Sequence, residues 1–540
     1  MPFRFRDMML SSSLLFCMSL VVLVPGIDGG NILTQGDETM HFESIRQSLE
    51  EKEYFAPKLS GIPNPYKPPM LFWSGIFASL LSSFSTASVR FAFVLYGAFS
   101  VQLVYAILKI FNVPKISSFL VSCIFLFSLG TFKFSRLAMM EQGMVFSILL
   151  FLFFLSLFFT SKKRIYLIIS GVVLSFGFLW KGPIFLVYAN MILIIAVSFG
   201  LLRFSASPFV WRGKRKWKSS IQILLLPNLV GIICLSLYFF IFLNTTKNAK
   251  EWMNFFLVVE NLGKFGNENQ SEFRILLGVL AYSFPWSVFL MLSNFNSILN
   301  KRINRANLFS KIFVFSSLVI ILLHFLPNRK EAYYVLPALA INFVGVGLSF
   351  QSQKEQLISF LKLNSLFLII FSFFILAFLV LFSPKTLLTN TAFGTFLLVS
   401  IIQSFTNHNK ISYHIFLGIA ILCFTQFVLI PTFSLPTFPK DLKNHLGNSI
   451  CVLSENPWAT YEARQYFPKH NWEMGNPKNP NDCKSSGILS FSRQNTIPKN
   501  FLLVFTYKIW NPDPKIEFGS EQFFDLENYK IPVEYYQKYE

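Results

Sequence analysis

A pair of carboxylates and a lysine lie in one polar segment that separates two apolar runs. Asp37 and Glu38 begin an amphipathic stretch, and Lys67 follows it, directly before two prolines. A carboxylate that is ionised at working pH can accept a proton from a hydroxyl within hydrogen-bonding reach. Lysine binds phosphate as a point charge, and neighbouring prolines restrict the loop that carries it. The segment therefore predicts chemistry on a phosphate-bearing lipid and a hydroxyl at the membrane surface.

Other charged or aromatic residues that suit this chemistry stand in polar loops along the chain. They are Arg136, Glu141, Lys181, Glu260, Lys264, Lys330 and Tyr334. Each has an ordinary structural explanation, such as a surface ion pair of little energetic value between Arg136 and Glu141 or a Gly-Pro turn after Lys181. Asp37 and Glu38 likewise suit a helix N-cap and first turn, and we favour that explanation for Glu38. Taken together, these residues predict that acids and cations converge on one membrane face.

His41 and Glu260 are candidates for supporting roles beside them. His41 follows Asp37 by one helical turn, so the two share a face if the stretch is helical. A metal site needs more ligands than this pair, and no zinc-binding cysteine pattern or His-Glu-x-x-His motif is present. We therefore predict no metal site. The glycine loops that bind nucleotide phosphates are also missing, which argues against a free nucleotide sugar as substrate.

The elements that position these residues are membrane helices. The chain has 540 residues, of which 53% are hydrophobic and only 14% charged. Apolar runs of about 20 residues recur, so we predict a mainly α, polytopic membrane protein with about thirteen transmembrane helices within residues 1–434. The predicted spans are 8–25, 85–109, 115–132, 142–160, 165–180, 184–202, 220–243, 275–297, 311–326, 332–350, 357–382, 390–406 and 411–431. The shorter apolar stretch 69–83 is predicted to be an interfacial helix.

Charge sets the predicted orientation. The formal net charge is +20, which in a soluble protein would suggest nucleic acid as a partner. Here the basic residues cluster in short loops at 162–164, 212–218 and 301–305, which predicts cytoplasmic loops and excludes nucleic acid. Residues 1–26 are interpreted as an uncleaved anchor with a cytoplasmic N-terminus. Loop 27–84 then lies outside. Membrane topology does not explain cations on that side, and anion binding is an explanation that does.

The tail, residues 435–540, differs in composition. It is polar and contains short β-like runs at 449–453, 487–491 and 501–507, with a helical pattern at 458–466. We predict a small periplasmic α/β domain. Cys451 and Cys483 are the cysteines of this tail, and an oxidising compartment favours a disulfide between them.

The order of these motifs resembles the aminoarabinose transferase and protein O-mannosyltransferase group of glycosyltransferases. The resemblance covers about residues 1–340. It rests on Asp37-Glu38, Pro57…Leu59-x-Gly61-Ile62-Pro63, Lys67-Pro68-Pro69, Arg90, Arg136…Glu141, Lys181-Gly182-Pro183, Glu260…Lys264-Phe265, Pro285-Trp286 and Lys330…Tyr334-x-x-Pro337.

The resemblance implies a GT-C fold and transfer of a sugar from a polyprenyl-phosphate carrier. The acceptor would be a lipid A-like glycolipid, another envelope glycan or a protein, at the outer face of the bacterial inner membrane. Asp37 and Glu141 take the catalytic positions. The cations expected at the donor phosphate are Lys67, Lys181, Lys264, Arg136 and Lys330, with Tyr334 beside them. Membrane lipids are the other expected partners, and we predict a monomer.

The chain departs from the family pattern at several positions. Tyr66 stands where an acid is common, and Asn261 stands where the family usually has histidine. The usual metal-ligand pair is therefore missing, and we predict no cofactor, with a divalent cation as the open alternative. Lys264 replaces an arginine, and His41 replaces a tyrosine.

Two other functions remain as alternatives. A transporter or flippase of lipid-linked sugars would place ionisable groups and broken helices near the bilayer midplane, in related halves of the chain. The sequence shows neither feature. A non-catalytic membrane scaffold would tolerate neutralisation of Asp37.

Overall fold

A computed structural model gives the architecture of the protein. It describes residues 5–28, 37–59, 62–64, 66–202, 214–266, 269–299, 305–351, 354–382, 394–395, 399, 411–425, 438–454, 458–491, 497–510 and 530–538.

Helices form nearly all of the first part of the chain, because a backbone surrounded by lipid must satisfy its own hydrogen bonds. Their bounds are α1 Phe5–Leu23, α2 Asp37–Glu50, α3 Met70–Ser82, α4 Thr86–Ile110, α5 Lys115–Leu126, α6 Leu129–Phe134, α7 Met140–Ser161, α8 Ile165–Lys181, α9 Pro183–Leu202, α10 Lys214–Thr245, α11 Ala249–Asn254, α12 Phe273–Ser283, α13 Ser287–Leu299, α14 Arg305–Leu323, α15 Leu336–Ser349, α16 Lys354–Phe382 and α17 Ile411–Phe424. A π-helical segment, Phe255–Asn261, is followed by a 3₁₀ turn, Leu262–Phe265, and another 3₁₀ turn, Ala332–Val335, precedes α15.

The described residues contain six helices long and apolar enough to cross a membrane, or seven if one bent pair counts as a single span. Shorter apolar helices occupy most of the other predicted positions. The prediction of a mainly α, multi-pass protein is confirmed, and the count of thirteen spans stays a prediction. The span predicted at 390–406 lies almost wholly outside the described residues.

One predicted span is wrong in shape. Residues 275–297 form α12 and α13, which meet at an angle of 103° instead of continuing as one helix. Pro285 lies in the break, where a proline cannot supply the backbone N–H that a helix needs. The Asn364 side chain supplies hydrogen-bond partners to backbone groups that the break leaves unpaired. It donates to the Pro285 carbonyl at 3.0 Å and accepts from the Phe289 N–H at 3.0 Å.

Close packing of α7 on α8 brings two charged residues of the chain together. Gly143 allows this approach, because a Cβ atom there would lie 2.2 Å from the Trp180 ring. Trp180 is fully buried, and the next residue, Lys181, is the last of α8. Glu141, near the start of α7, therefore lies beside Lys181.

The loop that carries Lys67 is held by a buried asparagine. Short strands β1 Lys58–Leu59 and β2 Ile62–Pro63 pair in antiparallel fashion just before it. Asn64 then donates from its side chain to Ser44 of α2 at 2.8 Å, and its carbonyl accepts from the Trp252 indole at 2.6 Å. Two separate parts of the chain thus fix the start of this loop.

In the described part of the tail, five strands form a mixed sheet, and Trp458–Tyr466 form helix α18. Its strands are β3 Ser449–Leu453, β4 Asn471–Gly475, β5 Gly487–Ser490, β6 Phe501–Trp510 and β7 Lys530–Lys538, in the order β4-β3-β5-β7-β6. The strand β3 runs parallel to β4 and β5, whereas β7 runs antiparallel to β5 and β6. Cys451 and Cys483 are joined by a disulfide. The predicted small α/β domain is present, and β4 and β7 are strands that the sequence did not predict.

Candidate active site

A cleft opens where α2, the Lys67 loop, the end of α8 and two later loops meet. Its empty space is about 380 Å³, including the mouth that opens to solvent. The residues that line it are Asp37, Tyr66, Lys67, Pro68, Met140, Lys181, Phe256, Glu260, Asn261, Lys264, Arg329, Tyr333 and Tyr334. Loops distant in sequence therefore meet at one place, and most of the sequence-predicted residues lie in this lining.

A chain of charges crosses one wall of the cleft. The ammonium of Lys67 lies 3.7 Å from the Asp37 carboxylate and 3.5 Å from Glu260. The ammonium of Lys264 lies 3.4 Å from the same Glu260 oxygen. The Asp37 side chain keeps 32% of its surface exposed, whereas that of Lys67 keeps only 10%. Asp37 is therefore open to a ligand while its cationic neighbour is held in the wall.

A second ion pair, Lys181 with Glu141, adds a cation to the cleft lining. The Lys181 ammonium donates to Glu141 at 2.7 Å and lies 4.6 Å from the centre of the Tyr334 ring. Glu141 is 1% exposed and does not line the cleft itself, so its direct effect is to hold Lys181 in place. Its other carboxylate oxygen is buried without a hydrogen-bond partner. The surface ion pair considered for Glu141 with Arg136 is replaced by this buried one.

Glu38 and His41 lie beneath the cleft and fix α2. Glu38 accepts two hydrogen bonds from the Arg90 guanidinium, at 2.8 and 2.7 Å, and a third from the Ala138 N–H at 2.7 Å. His41 donates from Nδ1 to the Ala138 carbonyl at 2.7 Å, since a carbonyl can only accept. Both side chains thus tie α2 to the residues just before α7.

Arg136 and Lys330 lie outside the cleft lining. Arg136 donates to the Pro25 carbonyl and packs 4.6 Å from the centre of the Phe132 ring. Lys330 is 1% exposed and donates to the Asn269 side chain at 2.5 Å. Both cations therefore hold loops together, and neither faces the space where Asp37 lies.

Arg329 lines the cleft in place of Lys330, and the sequence analysis did not select it. The backbone N–H groups of Asn328 and Arg329 both donate to the Lys264 carbonyl at 3.1 Å. This contact joins two loops and brings the Arg329 and Lys264 side chains to the same wall. Consecutive cations in a sequence cannot be told apart without knowing how the loop backbone turns.

Comparison with known proteins agrees with this architecture. The family profile described as dolichyl-phosphate-mannose-protein mannosyltransferase matches residues 66–213. An undecaprenyl phosphate-alpha-4-amino-4-deoxy-L-arabinose arabinosyl transferase of Yersinia enterocolitica is 24% identical over 88% of this chain and 84% of its own. Its counterpart in Wigglesworthia glossinidia brevipalpis is 30% identical over 28% of this chain and 27% of its own.

Solved structures show the fold. The crystal structure of ArnT from Cupriavidus metallidurans bound to undecaprenyl phosphate superposes with a TM-score of 0.63 at 13% identity, over 86% of this chain and 85% of that one. Its apo form gives 0.61. The chain has the GT-C fold of these structures and is similar in sequence to the aminoarabinose transferases. The resemblance stated from the sequence motifs is confirmed, and none of these findings favours the transporter alternative.

The charges of the transferase-like cleft alter the protonation of its residues. Burial alone would raise the pKa of Asp37, but the positive charges of Lys67, Arg329 and Lys181 outweigh it and hold the pKa below its ordinary value. Asp37 is therefore ionised at neutral pH. The pKa of Lys264 is lowered to about 8, mainly by burial; Lys67 and Lys181 add to the lowering, and Glu260 partly offsets it. A crowded cation of this kind gains stability when an anion enters.

The cleft is a poor fit to a divalent metal ion. Among the described residues, no group of three or more histidine, cysteine, aspartate or glutamate side chains could hold one. Glu260 is flanked by two lysines, and Asn261, which follows it, donates from its side chain to the Phe256 carbonyl at 2.6 Å. A metal ion at Glu260 would have to displace both ammonium groups.

The electrostatic origin of the Lys264 pKa can be measured directly. Lys264 should be charged below about pH 8 and increasingly neutral above it. Lys67→Met should raise this pKa, because it removes a repelling charge, and Glu260→Gln should lower it further. Competitive acetylation as a function of pH, read by mass spectrometry, gives the value. A pKa near 10.5 in the wild-type protein would contradict the crowded arrangement.

Proposed function

We propose that this protein transfers a sugar from a polyprenyl-phosphate carrier to an acceptor at the outer face of the inner membrane. The observation that carries the proposal is the placement of an ionised, accessible Asp37 among four cations, Lys67, Lys181, Lys264 and Arg329. A phosphate leaving group needs the cations, and an acceptor hydroxyl needs the carboxylate. The Yersinia relative is named for an undecaprenyl phosphate-linked sugar, and the Cupriavidus structure is bound to undecaprenyl phosphate.

The geometry supports a single displacement at the anomeric carbon. The acceptor hydroxyl gives its proton to Asp37 as its oxygen forms a bond to that carbon. The bond between the carbon and the phosphate oxygen breaks, and the phosphate keeps the electron pair. Lys67, Lys264 and Arg329 stabilise the charge that develops on the departing carrier. One displacement inverts the configuration of the sugar.

Glu141 acts in this scheme through Lys181. Their 2.7 Å contact keeps the ammonium at the cleft wall, and the Tyr334 ring limits its movement on the other side. Lys181 then faces the sugar or the phosphate from the cleft lining. The catalytic position predicted for Glu141 thus becomes, in this proposal, a supporting one.

The acceptor is proposed to be a glycolipid such as lipid A, another envelope glycan or a protein, and the sugar a hexose or pentose. The orientation proposed from the basic loops places the N-terminus in the cytoplasm and the tail in the periplasm. Packing of α18 against α2 supports a common side for the tail and the cleft. The protein is proposed to act as a monomer.

Neutralising Asp37 tests the proposal most directly. Asp37→Asn should reduce turnover by about 10²–10⁴, because the amide cannot accept the acceptor proton, while the carrier still binds. The assay uses purified protein in lipid nanodiscs with a polyprenyl-phosphate sugar and extracted envelope glycolipid. Glu50→Gln at the exposed end of α2 is a matched control that should leave turnover unchanged. Wild-type turnover by the Asp37 variant would remove this residue from the mechanism.

Two adjacent cations provide a matched comparison for the phosphate site. Arg329→Met should slow transfer by about 10²–10³, as expected for the loss of one electrostatic donor to the transition state. Lys330→Met should change kcat/KM by less than about tenfold, since Lys330 faces away from the cleft. Steady-state measurement of kcat/KM for both variants shows which of the two cations contributes to transfer. Equal losses, or a larger loss at Lys330, would contradict the assignment.

Metal dependence can be checked in the same assay. We propose that protein cations alone stabilise the phosphate, so transfer should survive prolonged treatment with a strong chelator. The rate should stay within about twofold of the untreated protein, since no bound metal supplies charge stabilisation. Activity that is lost on chelation and restored by zinc or manganese would show that a metal ion takes part.

A further inference from the structure

The C-terminal domain contacts the helix that carries Asp37. The last turn of α18 packs on α2 and on the start of α4. Arg464 donates to Glu43 of α2 at 2.9 Å, and the Gln465 carbonyl accepts from Thr86 at 3.4 Å. The Tyr466 hydroxyl lies beside the Arg90 guanidinium and interacts with it electrostatically. Consecutive residues of the domain therefore hold two elements of the membrane part.

The contact made by Tyr466 leads to the floor of the cleft. Arg90 is completely buried, and its guanidinium also binds both carboxylate oxygens of Glu38. Glu38 is next to Asp37 in α2 and accepts from the Ala138 N–H just before α7. Polar contacts from Tyr466 through Arg90 to Glu38 thus join the outer domain to the residue beside Asp37.

The contact made by Arg464 reaches a buried carboxylate of α2. Glu43 is 2% exposed and accepts from Arg46 and Gln47 of its own helix as well as from Arg464. Arg464 is fixed in turn by donating to the Trp472 carbonyl at 2.8 Å, in strand β4. A buried carboxylate that accepts several charged hydrogen bonds resists displacement, because each lost bond leaves charge uncompensated.

We infer that Arg464 and Tyr466 are positioning residues that set where α2, and hence Asp37, stands relative to the cations of the cleft. The outer domain is thereby part of the scaffold of the transfer site. The effect on catalysis rests on the proposed function. The physical contact between α18 and α2 is independent of that function. A displacement of Asp37 by a fraction of an ångström changes its reach to an acceptor hydroxyl, whereas the cations that bind the carrier belong to other loops.

The test uses the full-length protein in lipid nanodiscs with Tyr466→Phe and Arg464→Gln. Tyr536→Phe is the matched control, since that hydroxyl bonds Glu534 within the sheet. Hydrogen–deuterium exchange of peptides from α2 should rise about tenfold in the Tyr466 and Arg464 variants and stay unchanged in the control. Exchange in α7 and α8 should be unaffected.

Kinetics provide the second readout. Both variants should lower kcat by about 10- to 100-fold while KM for the polyprenyl-phosphate sugar stays within about twofold. Wild-type exchange in α2 would overturn the inference, and so would a loss confined to KM. If the wild-type protein transfers no sugar, the proposed function fails. The exchange measurement alone then tests whether α18 stabilises α2. Arg464→Lys should restore part of the lost kcat, because the cation at Glu43 returns.

Discussion

The buried ion pair of Glu38 with Arg90 is the constraint on which the cleft depends. Charges removed from water are tolerated only when they are paired and hydrogen-bonded. Here the guanidinium and carboxylate meet through two short bonds, and the Ala138 N–H supplies a third to the same carboxylate. Helices α2, α4 and α7 can satisfy these groups in only one relative arrangement. That arrangement places Asp37 at the edge of the cleft.

The cleft gathers more cations than carboxylates from separate parts of the chain. Lys67, Lys181, Lys264 and Arg329 face a common space, and their mutual repulsion opposes folding. Packing elsewhere must hold them there, as Gly143 and Trp180 do for Lys181 and as Asn64 does for the Lys67 loop. Such concentrations of like charge are typical of sites that act on anions.

Much of the fold could be predicted from the sequence because lipid imposes a simple rule. Long apolar runs become helices, so the predicted spans overlap the helices wherever the structure describes them. The bend between α12 and α13 escaped prediction because its cause is not the proline alone. The Asn364 side chain, far away in sequence, stabilises the broken backbone. Strand β4 was missed because its sequence, Asn471–Gly475, lacks an apolar alternation.

Part of the site could be predicted because cations on the face opposite the basic cytoplasmic loops are unusual in a membrane protein. Asp37, Lys67, Lys181, Glu260, Lys264 and Tyr334 break the expected pattern, and the structure brings them together. The partners of each charge could not be predicted. Helix packing pairs Glu141 with Lys181 and not with Arg136. The conformation of a loop places Arg329, and not Lys330, in the cleft lining.

The shared position of Lys67 between Asp37 and Glu260 has a consequence for product release. Its charge is already balanced by carboxylates in the absence of ligand, so an incoming phosphate replaces an existing partner instead of filling a vacancy. The free energy of binding is then only the difference between two attractions. When the carrier departs, the carboxylates close on the ammonium again and compete with its return. Under the proposed function, this competition limits the affinity of the cleft for the spent carrier, so that product inhibition is weaker than the number of cations alone would give.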